Sequence, residues 1–287
     1  MSPMSTFFDR LIDRYRRIDS LLCVGLDPRT QPGEPVATRI VDANRRIIDA
    51  TIDTALCYKP NIAFYEQHGP EGLQALVDTI GLIGDVPVLL DAKRGDIGST
   101  AEAYAAAVRA VGAGAVTVSP YMGSDSVLPF VDAGLAVFVL CKTSNPGSNE
   151  FQTLAAPDLP LYRAIAAAAT AWSNECGLVV GATDRDAIAA IRAAHPDVWI
   201  LAPGIGAQGA TMRDTVAAGV RADGAGLLPV VARGISGAAD PKKAAADLVD
   251  EYRRARDERA SSIAGATAAT VPEDATVTRL LDAILDT

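Results

Sequence analysis

The sequence predicts a (β/α)8 barrel of the α/β class: a single domain preceded by an N-terminal helix and followed by a short C-terminal tail helix. Three observations predict it. Eight short apolar runs alternate with longer amphipathic stretches along the chain. The runs show little polar alternation, as expected of strands buried on both faces of a parallel sheet. The polar residues that break the pattern gather at the C-terminal ends of the runs, where barrels carry their chemistry. Eight repeats of this kind favour a closed barrel over an open doubly wound sheet.

The elements follow in order. Residues 5–18 place Phe7, Phe8, Leu11, Ile12 and Tyr15 at helical spacing, a helix suited to covering the barrel floor. The expected strands are LLCVGL (21–26), LCYKP (56–60), VPVLLD (86–91), AVTVSP (115–120), LAVFVLC (135–141), GLVVGA (177–182), VWILAP (198–203) and GAGLLPVV (224–231). Helical patterns fill the gaps, among them residues 39–55, 99–113, 158–176 and 183–195. The barrel domain is expected to span 1–257. In 258–287, the small polar stretch SSIAGATAATVPED reads as a linker and ATVTRLLDAILD as a last short helix.

Composition narrows the function. The 287 residues carry a formal charge of −9 and no basic stripe, which argues against a nucleic-acid partner. No apolar run approaches the roughly 18 residues of a membrane span, and no signal-peptide core is evident. The four cysteines lie in or beside apolar runs without C-x-x-C spacing and read as reduced core thiols of a cytoplasmic protein. The two histidines, His68 and His195, fall at helix ends and read as structural or exposed, and with only two no metal site is expected.

The first expected strand ends in Asp27, the second in Lys59, the third in Asp91 and then Lys93 within LLDAKRGDIGST. An isolated D-x-K-x-x-D is ordinarily a surface ion pair followed by a loop cap. Here the triplet Asp91, Lys93, Asp96 ends a buried strand, where charge is costly unless paired or used. On an extended chain Asp91 and Lys93 would point the same way, about 6.6–7 Å apart along the strand. A lysine beside carboxylates is held cationic. It is then a poor amine nucleophile and a well-placed proton donor.

GIGAQG (204–209) matches G-x-G-x-x-G but follows the seventh strand, with one β–α unit left, which does not suit a dinucleotide fold. It reads instead as a phosphate cradle of glycine amides, with Arg233 after the eighth strand adding a charge-assisted fork. TSNPGSNEFQ (143–152), broken by glycine and proline, reads as a mobile lid with Ser144 at its base, placed to meet a heterocycle.

LDAKRGDIGSTA, together with GLDP, KPNIAFYE, TSNPGS, PGIGAQG and LLPVVARGI, resembles the orotidine 5′-phosphate decarboxylase family, in the branch whose signature reads D-A-K-R-G-D-I-G. The resemblance runs over about residues 21–234. It implies a (β/α)8 homodimer converting orotidine 5′-phosphate to uridine 5′-phosphate and CO2 with no metal or organic cofactor. By position it implies a charged tetrad of Lys59, Asp91, Lys93 and Asp96, in which Lys93 protonates C6 and Asp91 lies beside the departing carboxylate. It further implies that Asp96, Ile97 and Thr100 complete the partner's site and that Asp27 and Lys59 bind ribose hydroxyls. Ser144 would contact the pyrimidine, Pro203 would line the substrate site, and Gln208, Gly209 and Arg233 would hold phosphate. Ala232 departs from the glycine many members carry before that arginine.

Two other chemistries share parts of this pattern. A decarboxylase or aldolase acting on a sugar phosphate through a Mg2+-stabilised enediolate also uses D-x-K-x-x-D. A Schiff-base aldolase would need a lysine without acidic neighbours. A non-catalytic nucleotide-binding barrel is the reading from outside enzymology.

Overall fold

All eight expected strands form, and they close on themselves. In the computed structural model, which describes residues 5–29, 35–157, 159–206 and 208–266, β1 is Cys23–Leu26, β2 Cys57–Pro60, β3 Leu89–Arg94 and β4 Ala115–Val118. The remaining strands are β5 Ala136–Lys142, β6 Cys176–Val180, β7 Ile200–Pro203 and β8 Leu227–Val231. They form one parallel sheet in the order β2-β1-β8-β7-β6-β5-β4-β3. Its two ends meet through single parallel bridges, Tyr58 with Val88 and Asn61 with Asp91. The Tyr58 N–H donates to the Pro87 carbonyl (3.0 Å) and the Ile62 N–H to the Asp91 carbonyl (3.2 Å), so the ring is closed between β2 and β3.

Short helical turns aside, the helices are α1 Phe7–Ile18, α2 Val36–Thr51, α3 Gly69–Ile83, α4 Gly98–Ala110 and α5 Leu128–Asp132. Then come α6 Leu161–Trp172, α7 Arg185–Ala194, α8 Met212–Gly219 and α9 Pro241–Ala266. Helices α2 to α9 each follow one barrel strand. Because side chains fill the barrel on one face of each strand and helices cover the other, β1, β2, β4, β6 and β8 are buried at every position. That is why the sequence shows unbroken apolar runs there.

Helix α1 closes the floor, as its spacing suggests. Thr6 and Asp9 form a reciprocal capping box at its start. Phe8 stacks on Trp199, just before β7, at 5.9 Å, and meets Phe138 near the start of β5 edge-on at 5.7 Å. Burying one such ring stabilises by about 1.5–3 kcal/mol. Helix α9 crosses back over α1: the buried Tyr252 hydroxyl donates to the Gly224 carbonyl at 3.0 Å and pairs with the Tyr15 hydroxyl, also at 3.0 Å. It runs unbroken past the expected 257/258 boundary and through the first residues of the expected linker to Ala266. The rest of that linker and the expected tail helix lie outside the described residues.

At the other end of the barrel, a buried network fixes the exit of β1. Tyr65 Oη donates to the Leu26 carbonyl (3.0 Å) and accepts from Asn44 Nδ2 (2.9 Å), which also reaches Thr79 (3.0 Å). Asp27 therefore leaves the strand from an anchored backbone. All four cysteines are buried and free. Among the described residues no helix is long and apolar enough to cross a membrane.

Candidate active site

A cavity of about 550 Å³ opens at the C-terminal mouth of the barrel. It is lined by Asp27, Lys59, Asp91, Lys93, Ser144, Pro203, Gln208 and Arg233 among others, so eight of the twelve residues singled out from the sequence converge there. Each comes from the end of a strand or the loop after it, the placement that barrel topology dictates.

Its centre is Asp91. Lys59 Nζ donates to Asp91 Oδ2 at 2.8 Å, and Lys93 Nζ to Asp91 Oδ1 at 2.6 Å. The Thr117 hydroxyl, on β4, donates to the same Oδ1 at 3.0 Å. Burial alone would raise the Asp91 pKa, but the two ammonium groups outweigh it and hold the carboxyl well below the usual carboxylate range. Burial opposes the Lys59 charge likewise, and Asp91 and then Asp27 overcome it, raising its pKa. The two lysines differ in access. The Lys59 side chain is 6% exposed, while that of Lys93 is 50% exposed and faces the opening.

Extended geometry does not describe Lys93. Its φ is +47°, in the left-handed region, and the β3–β4 register shifts between Leu90 and Arg94. A bulge of this kind re-aims side chains. It brings the Lys93 ammonium onto the carboxylate two residues before it, where a flat strand would hold the two side chains apart. A non-glycine residue in this conformation costs about 1–3 kcal/mol. Thr117 Oγ1 helps offset that cost by accepting from the Ala92 N–H (3.0 Å) and the Lys93 N–H (2.9 Å). Thr117 was not singled out from the sequence. Its one signal was a hydroxyl inside an otherwise apolar run.

Asp27 has one carboxylate oxygen, Oδ1, that is buried without a protein partner. Burial raises its pKa; Lys59 pulls it down and Asp91 pushes it up. An unsatisfied acceptor facing a cavity is a place for a ligand donor.

The opposite rim is built from loops. Gly204 has φ +117°, and a Cβ there would lie 2.8 Å from Gln208 Oε1, so glycine lets the Gln208 side chain fold over the loop. Two of the glycine amides of the expected cradle are already engaged within the loop. The Gly206 N–H donates to the Ala210 carbonyl (2.8 Å) and the Gly209 N–H to the Gly206 carbonyl (3.0 Å). Gly209 is outside the cavity lining, and the loop instead presents the Gln208 side chain opposite Arg233. Ala232 is accommodated because residue 25 is glycine: a Cβ at Gly25 would lie 2.6 Å from the Ala232 methyl.

Asp96, Ile97 and Thr100 are not brought to this cavity. Asp96 Oδ1 accepts from the Ile97 N–H (2.8 Å) on the loop before α4, and Ile97 is 44% exposed. Asn61, Thr143, Asn145 and Gln152 line the cavity without having been singled out. Asn145 and Gln152 lie inside the expected lid, where polar residues are too frequent for one to stand out.

The closed barrel and the ion-paired cavity at its mouth define a (β/α)8-barrel enzyme with a site for an anionic substrate. The chain belongs to the orotidine 5′-phosphate decarboxylase / HUMPS family, whose pattern it matches over residues 20–248. It is 47% identical over 239 residues to the orotidine 5′-phosphate decarboxylase of Roseiflexus castenholzii, covering 79% of this chain and 87% of that protein. It is 45% identical over 266 residues to that of Thermomicrobium roseum, covering 88% and 94%. The solved structure of Leishmania donovani OMP decarboxylase superposes with a TM-score of 0.81 at 48% identity, covering 88% of this chain and 98% of that one.

Proposed function

We propose that this chain decarboxylates orotidine 5′-phosphate to uridine 5′-phosphate and CO2 in pyrimidine biosynthesis, with Lys93 as the proton donor to C6. The observation that carries this reading is the Lys93 ammonium, fixed at 2.6 Å on Asp91 at the cavity rim yet half exposed toward the space a substrate would fill. The names of the relatives supply the substrate.

As the C6–carboxylate bond breaks, its electron pair stays on C6 in an sp2 orbital that the ring does not delocalise. A preorganised ammonium stabilises that localised charge without reorganising. The Lys93 N–H proton then passes to C6, CO2 leaves, and the neutral amine is reprotonated from solvent. Asp91 keeps the ammonium aimed, with Lys59 balancing its second oxygen. Asp27, with its unsatisfied oxygen, accepts from a ribose hydroxyl, and the Lys59 ammonium donates to one. Ser144 meets the pyrimidine against Pro203, and Gln208 and Arg233 take the phosphate, with Gly209 shaping their loop. Contacts far from C6 supply binding energy to order the lid and exclude water.

The protein acts as a cytoplasmic homodimer in which Asp96, Ile97 and Thr100 complete the partner's cavity. Their placement away from their own cavity supports this, as does the apolar surface of Tyr121 (94% exposed) and Met122 (45% exposed).

The test is to follow orotidine 5′-phosphate by ultraviolet absorbance with the purified protein, with and without EDTA. Turnover unaffected by chelation is expected. Loss of activity in EDTA would support the Mg2+-dependent sugar-phosphate chemistry instead, and nucleotide binding with no turnover a non-catalytic barrel. Mixing Lys93→Ala with Asp96→Ala protein should restore part of the activity through heterodimers with one intact site. No recovery after verified subunit exchange contradicts shared sites.

A further inference from the structure

Lys142, the last residue of β5, is a second buried lysine, 4% exposed, and the decarboxylation as derived does not use it. Its Nζ donates to Ser148 Oγ at 2.7 Å and Asn149 Oδ1 at 3.2 Å. It also stands 3.5 Å from Asp184 Oδ2. Ser148 and Asn149 belong to a helical turn, Ser148–Phe151, inside the loop that follows β5. Asp184 caps α7 by accepting from the Ala187 N–H at 3.0 Å. One buried ammonium thus joins the loop to the corner between β6 and α7.

The same loop is clasped at its base. The Thr143 N–H donates to Gln152 Oε1 at 2.9 Å, and Gln152 Nε2 donates to Thr143 Oγ1 at 2.9 Å. The Gly181 N–H, just past β6, donates to the Lys142 carbonyl at 2.7 Å. A Cβ at Gly181 would lie 2.7 Å from the Ser144 Cβ and 2.9 Å from its backbone, so glycine is needed for Ser144 to sit where it does. The β5–β6 register shifts between Leu140 and Lys142, turning the Lys142 side chain toward the loop. Thr143, Ser144, Asn145 and Gln152 all line the active cavity, whereas Lys142 does not.

A buried ammonium persists only where its hydrogen bonds and counter-charge are supplied. Here two of its three partners come from the loop, so detaching the loop would strip the charge of most of its compensation. The loop is therefore held to the barrel by the cost of leaving that charge unpartnered.

We propose that Lys142 is a positioning residue that docks the 143–157 loop on the barrel rim and so presents Ser144 and Gln152 to the substrate. This rests on the reading of Ser144 as a pyrimidine contact. Lys142→Met keeps the stem and removes the ammonium. It is expected to raise KM for orotidine 5′-phosphate about tenfold with kcat changed less than threefold. Hydrogen exchange of the 143–157 amides in the free protein should speed up at least tenfold while the β-strand amides keep their protection. A purely structural lysine would lower the folded fraction and the strand protection instead.

Ser148→Ala, which removes only the 2.7 Å bond, should move both readouts the same way by about threefold, and it decides the matter if Lys142→Met does not fold. Wild-type KM or wild-type loop exchange in folded Lys142→Met, or in Ser148→Ala where that variant decides, overturns the proposal. Ser144→Ala, measured in parallel, separates the two readings. If it leaves KM unchanged while Lys142→Met shows both effects, the pyrimidine contact fails and the docking role stands.

Discussion

The two sides of the barrel mouth are built on opposite plans. On the β2–β3–β4 side the charged and polar groups are bonded to one another: Asp91 binds Lys59, Lys93 and Thr117, and a left-handed bulge is spent on holding that arrangement. On the β5–β7–β8 side the groups assigned to the ligand are offered outward. Arg233 and Gln208 are exposed, and neither they nor the Ser144 side chain has a protein hydrogen-bond partner among the described residues. The difference teaches a division of labour. Charges that act on the reacting bond are fixed before substrate arrives, so nothing reorganises during reaction. Groups that bind keep their donors unused for the ligand.

The first way to break this contrast is Asp91→Ala. It strands Lys59 as a buried cation and should destabilise the fold by about 3–5 kcal/mol, besides abolishing turnover. The pH dependence carries the same signature. Because the folded-state pKa of Asp91 is depressed, its stabilising contribution is complete above the ordinary aspartate value of 3.8 and is lost as pH falls below it toward the folded value. Denaturant titrations of wild type and Asp91→Asn from pH 7 to 3 should therefore show a constant gap down to about pH 4 that begins to narrow at the acid end. A gap that stays constant throughout would show that Asp91 does not carry the effect.

Arg233→Ala tests the opposite side. Folding stability should stay within about 0.5 kcal/mol, as for an exposed residue. Phosphate-bearing ligands should weaken about 100-fold, roughly 2.7 kcal/mol, and far more than the bare nucleoside. Equal weakening of both, by calorimetry, would remove Arg233 from the phosphate site.

The smallest effect is expected at Asp27, which is half-buried beside the ion pairs of one side and has an unsatisfied oxygen like the groups of the other. Asp27→Asn should relieve part of the burial cost, raising the melting temperature by about 2–4 °C for roughly 1 kcal/mol, while KM rises. A fall in both would make Asp27 a structural acid.

The barrel was legible because parallel strands covered on both faces must be apolar throughout, so the eight runs and their charged ends could be read directly. Helix α1 was legible from the spacing of Phe7, Phe8 and Leu11. The working geometry of the site was not. Nothing local marks Lys93 as left-handed: the backbone there bonds to Thr117 on the neighbouring strand, a contact across 24 residues of chain. The glycines of 204–209 suggested free amides, but the loop's own hydrogen bonds use those of Gly206 and Gly209. Lys142 escaped notice because its partners, Ser148, Asn149 and Asp184, are ordinary loop residues until the fold assembles them. Asp96, Ile97 and Thr100 share a motif with Lys93 but not a cavity, since the chain turns into α4 at Gly98, between Ile97 and Thr100.

The most direct test of the central claim is exchange at C6 of uridine 5′-phosphate in D2O, followed by NMR with wild-type and Lys93→Ala protein at saturating ligand. By microscopic reversibility, the group that delivers the C6 proton also removes it. Wild type should exchange C6–H for deuterium, and Lys93→Ala should lose that exchange by more than about 10^4-fold while still binding the nucleotide. Exchange at the wild-type rate in a folded, nucleotide-bound Lys93→Ala protein would place the proton donor elsewhere.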